Sequence, residues 1–180
     1  MSKLPKQYQW LEKEPGPKMI LEGLKTYGTL EAPGKADNPV IMGWAKALKL
    51  TAVYSHDSVP WCGLWMGYIA LRAGKSVAQA PLWALSWADE GTRVKVAMLG
   101  DILTFKRSGG GHVGLYVGED STAYHVLGGN QSDKVCIARI AKSRLYQIRR
   151  PKYINQPKNI RVIKLKATGS LSTNERYQIS

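Results

Sequence analysis

The hydrophobic period of this 180-residue chain changes at Gly100, and that change restricts the fold more than any other feature. Upstream, apolar residues recur at helical spacing. Met19, Ile20, Leu21 and Leu24 predict a short helix over 18–27. Asn38-Pro39 then precedes Val40, Ile41, Trp44, Ala45 and Leu48, with Asn38 suited to cap and Pro39 in a favoured first helical position. A third helix is expected over 61–73, where Cys62, Met66 and Ile69 recur and Gly74 supplies a stop. The Ala- and Trp-rich segment that follows predicts a fourth helix around 80–88. Downstream of Gly100 the period is two, and strands are expected over 101–105, 112–118, 123–127, 134–140 and 146–150. In the second of these, Val113, Leu115 and Val117 share one face and His112, Gly114 and Tyr116 the other. Helices followed by a run of antiparallel strands imply an α+β fold.

A chain of this length makes one domain with a substantial core. Residues 1–17, polar and broken by Pro5, Pro15 and Pro17, read as a lead-in. The domain is expected to span 18–151, and residues 152–180, basic and without apolar period, read as a tail. No internal repeat is evident. The formal charge is +13, from 26 basic and 13 acidic residues, which favours an anionic partner: nucleic acid, a membrane surface or an acidic polymer. Two cysteines, Cys62 and Cys136, make no disulfide framework. The first residues lack an apolar run after their charges, so no secretory signal is expected. The longest nearly apolar stretch, 60–71, is too short to span a bilayer.

Within this frame the candidate chemistry sits on Cys62, His112 and Asn130. A cysteine alone in an apolar helix is most often inert core. Here Pro60 and the helical run after it place Cys62 at a helix N-terminus, where unpaired N–H groups and the macrodipole favour a thiolate. His112 opens a strand after Gly109-Gly110-Gly111 and is a candidate base. The glycines, with Gly114, leave room beside a cleft. A third group must orient the imidazole. Asn130 is the chosen candidate, ahead of Glu119, Asp120 and Asp133, because it approaches from the end of a separate strand. The backbone N–H of Cys62 is the expected oxyanion donor, with a second from among Ser55, His56 and Asp57. Trp61, Trp65, Gly114 and Tyr116 are candidates to contact substrate, although core packing suits the tryptophans as well. The Gly-rich run lacks the Lys-Ser/Thr ending of a phosphate loop. Cys62, His112, His125 and Cys136 have no paired metal-ligand spacing, so neither metal nor cofactor is expected.

The chain resembles the CHAP and NlpC-type cysteine peptidase–amidases, in particular a phage- and prophage-associated group. The resemblance rests on Asn38-Pro39 before Trp44-Ala45, Val59-Pro60-Trp61-Cys62, Gly100-Asp101-Ile102 and Gly111-His112-Val113-Gly114-Leu115-Tyr116-Val117-Gly118. It continues through Leu127-Gly128-Gly129-Asn130-Gln131-Ser132, Lys142-Ser143-Arg144-Leu145 and Arg149-Arg150-Pro151. It implies a papain-like fold, with a nucleophile helix packed on an antiparallel sheet. It also implies cleavage of an amide bond in the peptide of bacterial peptidoglycan, with Cys62 as nucleophile, His112 as base and Asn130 carried over as orienter. Many CHAP enzymes place an acidic residue just before the matching asparagine; Gly128-Gly129 offers none here. Some relatives depend on calcium, but no acidic loop of this chain demands it. The expected setting is an endolysin or virion-associated lysin, made in the host cytoplasm and acting in the periplasm or at the wall. Peptidoglycan is then the partner, the basic surface meets the anionic envelope, and neither a specific nucleic acid nor a membrane span is called for. Two rivals stand beside this reading: a papain-like peptidase or toxin with another target, and a non-catalytic module of the same fold that binds envelope or nucleic acid.

Overall fold

The computed structural model describes residues 3–172. Three helices come first: α1 (Lys18–Lys25), α2 (Pro39–Ala47) and α3 (Cys62–Arg72). Six strands follow: β1 (Thr92–Arg93), β2 (Ile102–Arg107), β3 (Gly110–Glu119), β4 (Ala123–Gly128), β5 (Cys136–Ala141) and β6 (Leu145–Arg150). They form one antiparallel sheet in the order β1-β6-β2-β3-β4-β5. The fold is α+β, as the change of period at Gly100 requires.

Local chemistry sets where α2 and α3 begin. Asn38 Oδ1 accepts from Val40 N at 2.8 Å, and Pro39 takes the first helical turn. The buried carboxylate of Asp57 accepts from the backbone N–H groups of Ala32 and Asn38, both at 2.8 Å. Its own N–H donates to Asp37 Oδ1 at 3.0 Å. The loop before α2 is thereby locked to the loop before α3, and the entry to Cys62 is fixed. The helix expected around 80–88 is instead a 3₁₀ helix, Ala84–Asp89. Pro81 has no N–H to give a longer helix, and its carbonyl accepts from Trp87 Nε1 at 3.1 Å.

The sheet carries a core on each face. Towards the helices, Ile102, Val113, Leu115, Val117 and Leu127 pack with Ile20, Leu64 and Trp65. On the other face, Leu103, Phe105, Tyr116, Val126, Ile140 and Ile148 form a second cluster, against which Ile163 packs. The alternation expected along 112–118 holds: Val113, Leu115 and Val117 lie in the first cluster and Tyr116 in the second.

Among the described residues, the segments that flank residues 18–151 pack against the domain more closely than composition suggested. The segment expected to be a polar lead-in contains a 3₁₀ helix, Lys6–Lys13, and buries Leu4, Tyr8 and Leu11. Full burial of a side chain of this size is worth about 1.5–3 kcal/mol. The segment after Pro151 runs along the sheet: Ile163 O accepts from Glu119 N, and Leu165 N donates to Glu119 O, both at 2.9 Å. Further on, Ser172 N donates to Arg139 O at 2.7 Å. Residues 173–180, the rest of the expected tail, lie outside the described residues. Among the described residues, no helix is long and apolar enough to cross a membrane.

Candidate active site

Cys62 is the first residue of α3 and is almost fully buried. The side chain of Trp61, the N-cap, makes no capping hydrogen bond, so it takes up none of the first-turn N–H groups. The backbone of Val113, Gly63 and Cys62 itself lies against the thiol and, with the charge of Arg107, favours the thiolate. Burial is the larger effect and pushes the thiol up from its ordinary value. The low thiol pKa expected from the helix terminus is therefore corrected: desolvation outweighs the amides and the guanidinium. Gly63 is needed at the next position because a Cβ there would lie 2.3 Å from the Pro81 carbonyl oxygen. Its absence lets the 81–82 backbone close against the first turn of α3.

His112 lies on β3 next to Val113, and is buried. Its cross-strand partner is Phe105, with ring centroids 6.4 Å apart. Its Nε2 is 3.0 Å from Oε1 of Gln131. The direction of this bond follows from the rest of the Gln131 amide. Gln131 Nε2 donates to the carbonyls of Val126 at 3.0 Å and Cys136 at 2.6 Å, which leaves Oε1 facing the imidazole as acceptor. His112 therefore carries its proton on Nε2, and Nδ1 holds the lone pair. Burial drives the imidazole pKa down to about 4, opposed by the Gln131 bond and reinforced by Arg107 and Arg144.

The residue bonded to His112 is thus Gln131, where the sequence pointed to its neighbour Asn130. Asn130 is buried beside it, with φ of 53°. Ser132 and Asp133 also have positive φ, at 53° and 58°. A backbone that turns at three of four consecutive residues destroys the alternation by which a facing residue is chosen. Gly128 makes room for the amide, since a Cβ there would lie 2.9 Å from Gln131 Oε1. Two of the carboxylates weighed for the role are engaged elsewhere. Glu119 pairs with Lys164 and Lys142. Asp120 accepts from Arg139 Nε at 2.8 Å and from His125 Nε2 at 2.9 Å. Arg139 in particular holds the Asp120 carboxyl far below the usual carboxylate range.

Cys62 opens on a cleft of about 440 Å³. Its walls include Val53, Leu82 and Trp83, with Arg107 at the end of β2 and Gly109–Gly111 leading from the turn into β3. Trp83 is 68% exposed, a large apolar surface at the rim. The expected glycine clearance is found at Gly109 and Gly110, where an added Cβ would meet nothing within 4 Å. The four residues expected to contact substrate are elsewhere, and that expectation is corrected. Trp61 and Trp65 are fully buried, with indole N–H groups donating to Glu31 Oε2 at 3.0 Å and Thr26 Oγ1 at 2.8 Å. Gly114 is buried where a Cβ would lie 2.4 Å from Val126 Cγ1, so it serves strand packing. Tyr116 is fully buried in the second core cluster, its hydroxyl donating to Ile163 O at 3.2 Å. Trp83, just before the 3₁₀ helix, and Arg107, the last residue of β2, escaped the sequence reading because a single aromatic or basic residue carries no periodic signal.

The remaining histidines have other roles. His125 is buried between the Tyr8 hydroxyl, 2.6 Å from Nδ1, and Asp120. His56 is exposed and pairs with Asp37 at 3.2 Å. Both cysteines are free thiols, and Cys136 Sγ donates to Gln131 O at 3.3 Å. Among the described residues, no group of three His, Cys, Asp or Glu side chains is arranged to hold a metal ion. Compared with protein-family models, with curated proteins and with solved structures, the chain matches none.

Proposed function

We propose that this protein is a papain-like cysteine peptidase or amidase that cleaves an amide bond in the peptide of bacterial peptidoglycan. The observation that carries the reading is the tautomer of His112: Gln131 holds Nε2–H and leaves Nδ1 as a base, on the strand whose next residue lies against the Cys62 thiol. In the resting state thiol and imidazole are both neutral. On attack, Cys62 Sγ bonds to the substrate carbonyl carbon while its proton passes to Nδ1 of His112. The first-turn N–H groups of α3 stabilise the developing oxyanion. The C–N bond breaks, the amine leaves with the proton from Nδ1, and a thioester remains. Water then gives a proton to Nδ1, its oxygen attacks the thioester, and the thiol reforms with the acid product.

The net charge of +13 supports an anionic polymer as target, and a phage or prophage lysin acting at the wall is the setting that suits it. One observation favours a non-catalytic envelope-binding module instead: the thiol is buried and its pKa is raised. Digestion of purified sacculi by the wild type and by Cys62→Ala, with released fragments identified by mass spectrometry, separates the two. Fragments released by the wild type alone support the hydrolase, and their new termini name the bond. No release under reducing conditions, with and without calcium, overturns it.

A further inference from the structure

The residue before Cys62 joins the two sides of the site. Trp61 is fully buried, and its indole N–H donates to Glu31 Oε2 at 3.0 Å. Its ring lies against the backbone of Gly129, where a Cβ would stand 2.9 Å from Trp61 Cε3 and Cζ3. Gly129 comes two residues before Gln131, the partner of His112. Glu31 reaches the other side of the same turn through its backbone, its N–H donating to Asp133 O at 2.8 Å. Residues 28–31 run beside 133–135, with Val135 N donating to Thr29 O at 2.8 Å and Gly28 N to Val135 O at 2.9 Å. One residue therefore holds the head of α3 by its side chain and the Gln131 turn by its main chain. We propose that Glu31 is a positioning residue for the Cys62–His112 pair, fixing the start of α3 against the turn that sets the His112 tautomer.

This rests on the hydrolase reading and adds a residue to its machinery that acts through Trp61 and Asp133, not on the reacting atoms. Apolar packing is non-directional, so Gly129 and Trp44, whose ring is 5.8 Å away, confine the Trp61 ring without fixing its rotation. A bond from the indole N–H to a carboxylate is directional and stronger than its neutral counterpart. Burial raises the Glu31 carboxyl from its ordinary value; the Trp61 bond opposes this, and Asp133 and Asp57 add to the rise. A displacement of about 1 Å near the chemistry costs on the order of a hundred-fold in rate, so partial loosening of this clamp registers in kcat before it registers in substrate binding.

The test reads the histidine directly, so it does not depend on turnover. With the imidazole nitrogens of the full-length protein isotopically labelled for NMR, wild-type His112 is expected to show two well-separated ring signals, one for Nε2–H and one for bare Nδ1. In Glu31→Ala these signals move together as the tautomers mix, and kcat on purified sacculi falls on the order of ten-fold with KM little changed. Glu31→Gln keeps an acceptor for the indole and sheds the repulsion from Asp133 and Asp57, so it restores the separation and most of the rate. Trp61→Phe deletes the donor and keeps a ring against Gly129; it reproduces the Glu31→Ala signals, and combining the two changes them little further. His125, held by Tyr8 and Asp120, keeps its signals throughout. His112 signals indifferent to both Glu31→Ala and Trp61→Phe, or shifting in both only together with those of His125, overturn the positioning proposal alone. A wild type that shows the expected His112 response and releases no fragments from sacculi overturns the hydrolase reading and leaves the Glu31 clamp standing.

Discussion

Gln131 dictates which nitrogen of His112 is basic. Its amide nitrogen is committed to two backbone carbonyls, so its oxygen accepts from Nε2 at 3.0 Å and the lone pair is left on Nδ1. Gln131→Leu removes the acceptor and frees the ring to rotate or change tautomer. On the proposed mechanism, kcat on peptidoglycan is expected to fall on the order of a hundred-fold, with KM little changed. Because the Gln131 bond raises the His112 pKa against burial, its loss also moves the acidic limb of the pH–rate profile to lower pH. A purely structural role for Gln131 would lower activity without moving that limb. Asn130→Gly, which keeps the backbone turn and the Gln131 bond, should leave the limb in place.

The contrast between Asn130 and Gln131 shows where the sequence was legible. Period and capping signals placed α2, α3 and the main strands, because Asn38, Pro39, Gly74 and the alternation around His112 act on their own neighbours. Cys62 at the head of α3 and His112 at the start of β3 followed from the same local rules. The orienting residue did not, because it lies in a turn where successive positive φ angles scramble which side chain faces which way. Trp61 and Trp65 were unreadable for another reason. Their apolar bodies fit a core or a cleft equally, and only the partners Glu31 and Thr26, far away in sequence, settle the matter. The burial of Leu4, Tyr8 and Leu11 in the segment read as a polar lead-in was not legible either, because three residues are too few to form a pattern.

Alkylation kinetics should reflect the neutral resting pair. Burial raises the Cys62 thiol above its ordinary value of 9.0 and lowers His112 to about 4, so thiolate forms only in alkaline solution. The rate of Cys62 modification by iodoacetamide, followed on its own proteolytic peptide, should climb steadily with pH through 9. A resting thiolate–imidazolium pair would instead give a plateau across the neutral range.

Acid stability should report the two buried histidines before the carboxylates. The unfolded chain takes up protons on histidine from about pH 6.5 downward, whereas folded His112 resists protonation until about pH 4. Stability from His112 is fully present above pH 6.5 and is lost as pH falls towards 4, by about 3 kcal/mol in all. His125 is shifted in the same direction by burial and adds to the slope. Urea midpoints measured between pH 6.5 and 4.5 should therefore fall steeply, and His112→Gln should make the slope shallower without abolishing it. A slope unchanged by that substitution would place the acid sensitivity elsewhere.

Asp101 and Arg150 pair where β2 begins and β6 ends, at the end of β2 away from His112. Asp101 is fully buried directly before β2, and its Oδ1 and Oδ2 accept from Arg150 Nε at 2.9 Å and Nη2 at 2.8 Å, while Oδ2 also accepts from Met98 N at 2.9 Å. Arg150 ends β6, so this two-pronged pair fixes the register of β6 against β2. Arg150→Met leaves a buried carboxylate without its counter-charge and should cost about 3–5 kcal/mol in urea unfolding. Asp101→Asn in the same chain removes the charge and keeps an acceptor for Met98, so the double variant should be more stable than Arg150→Met alone. If instead the two losses simply add, the penalty lies in the packing of the arginine stem and not in the stranded charge.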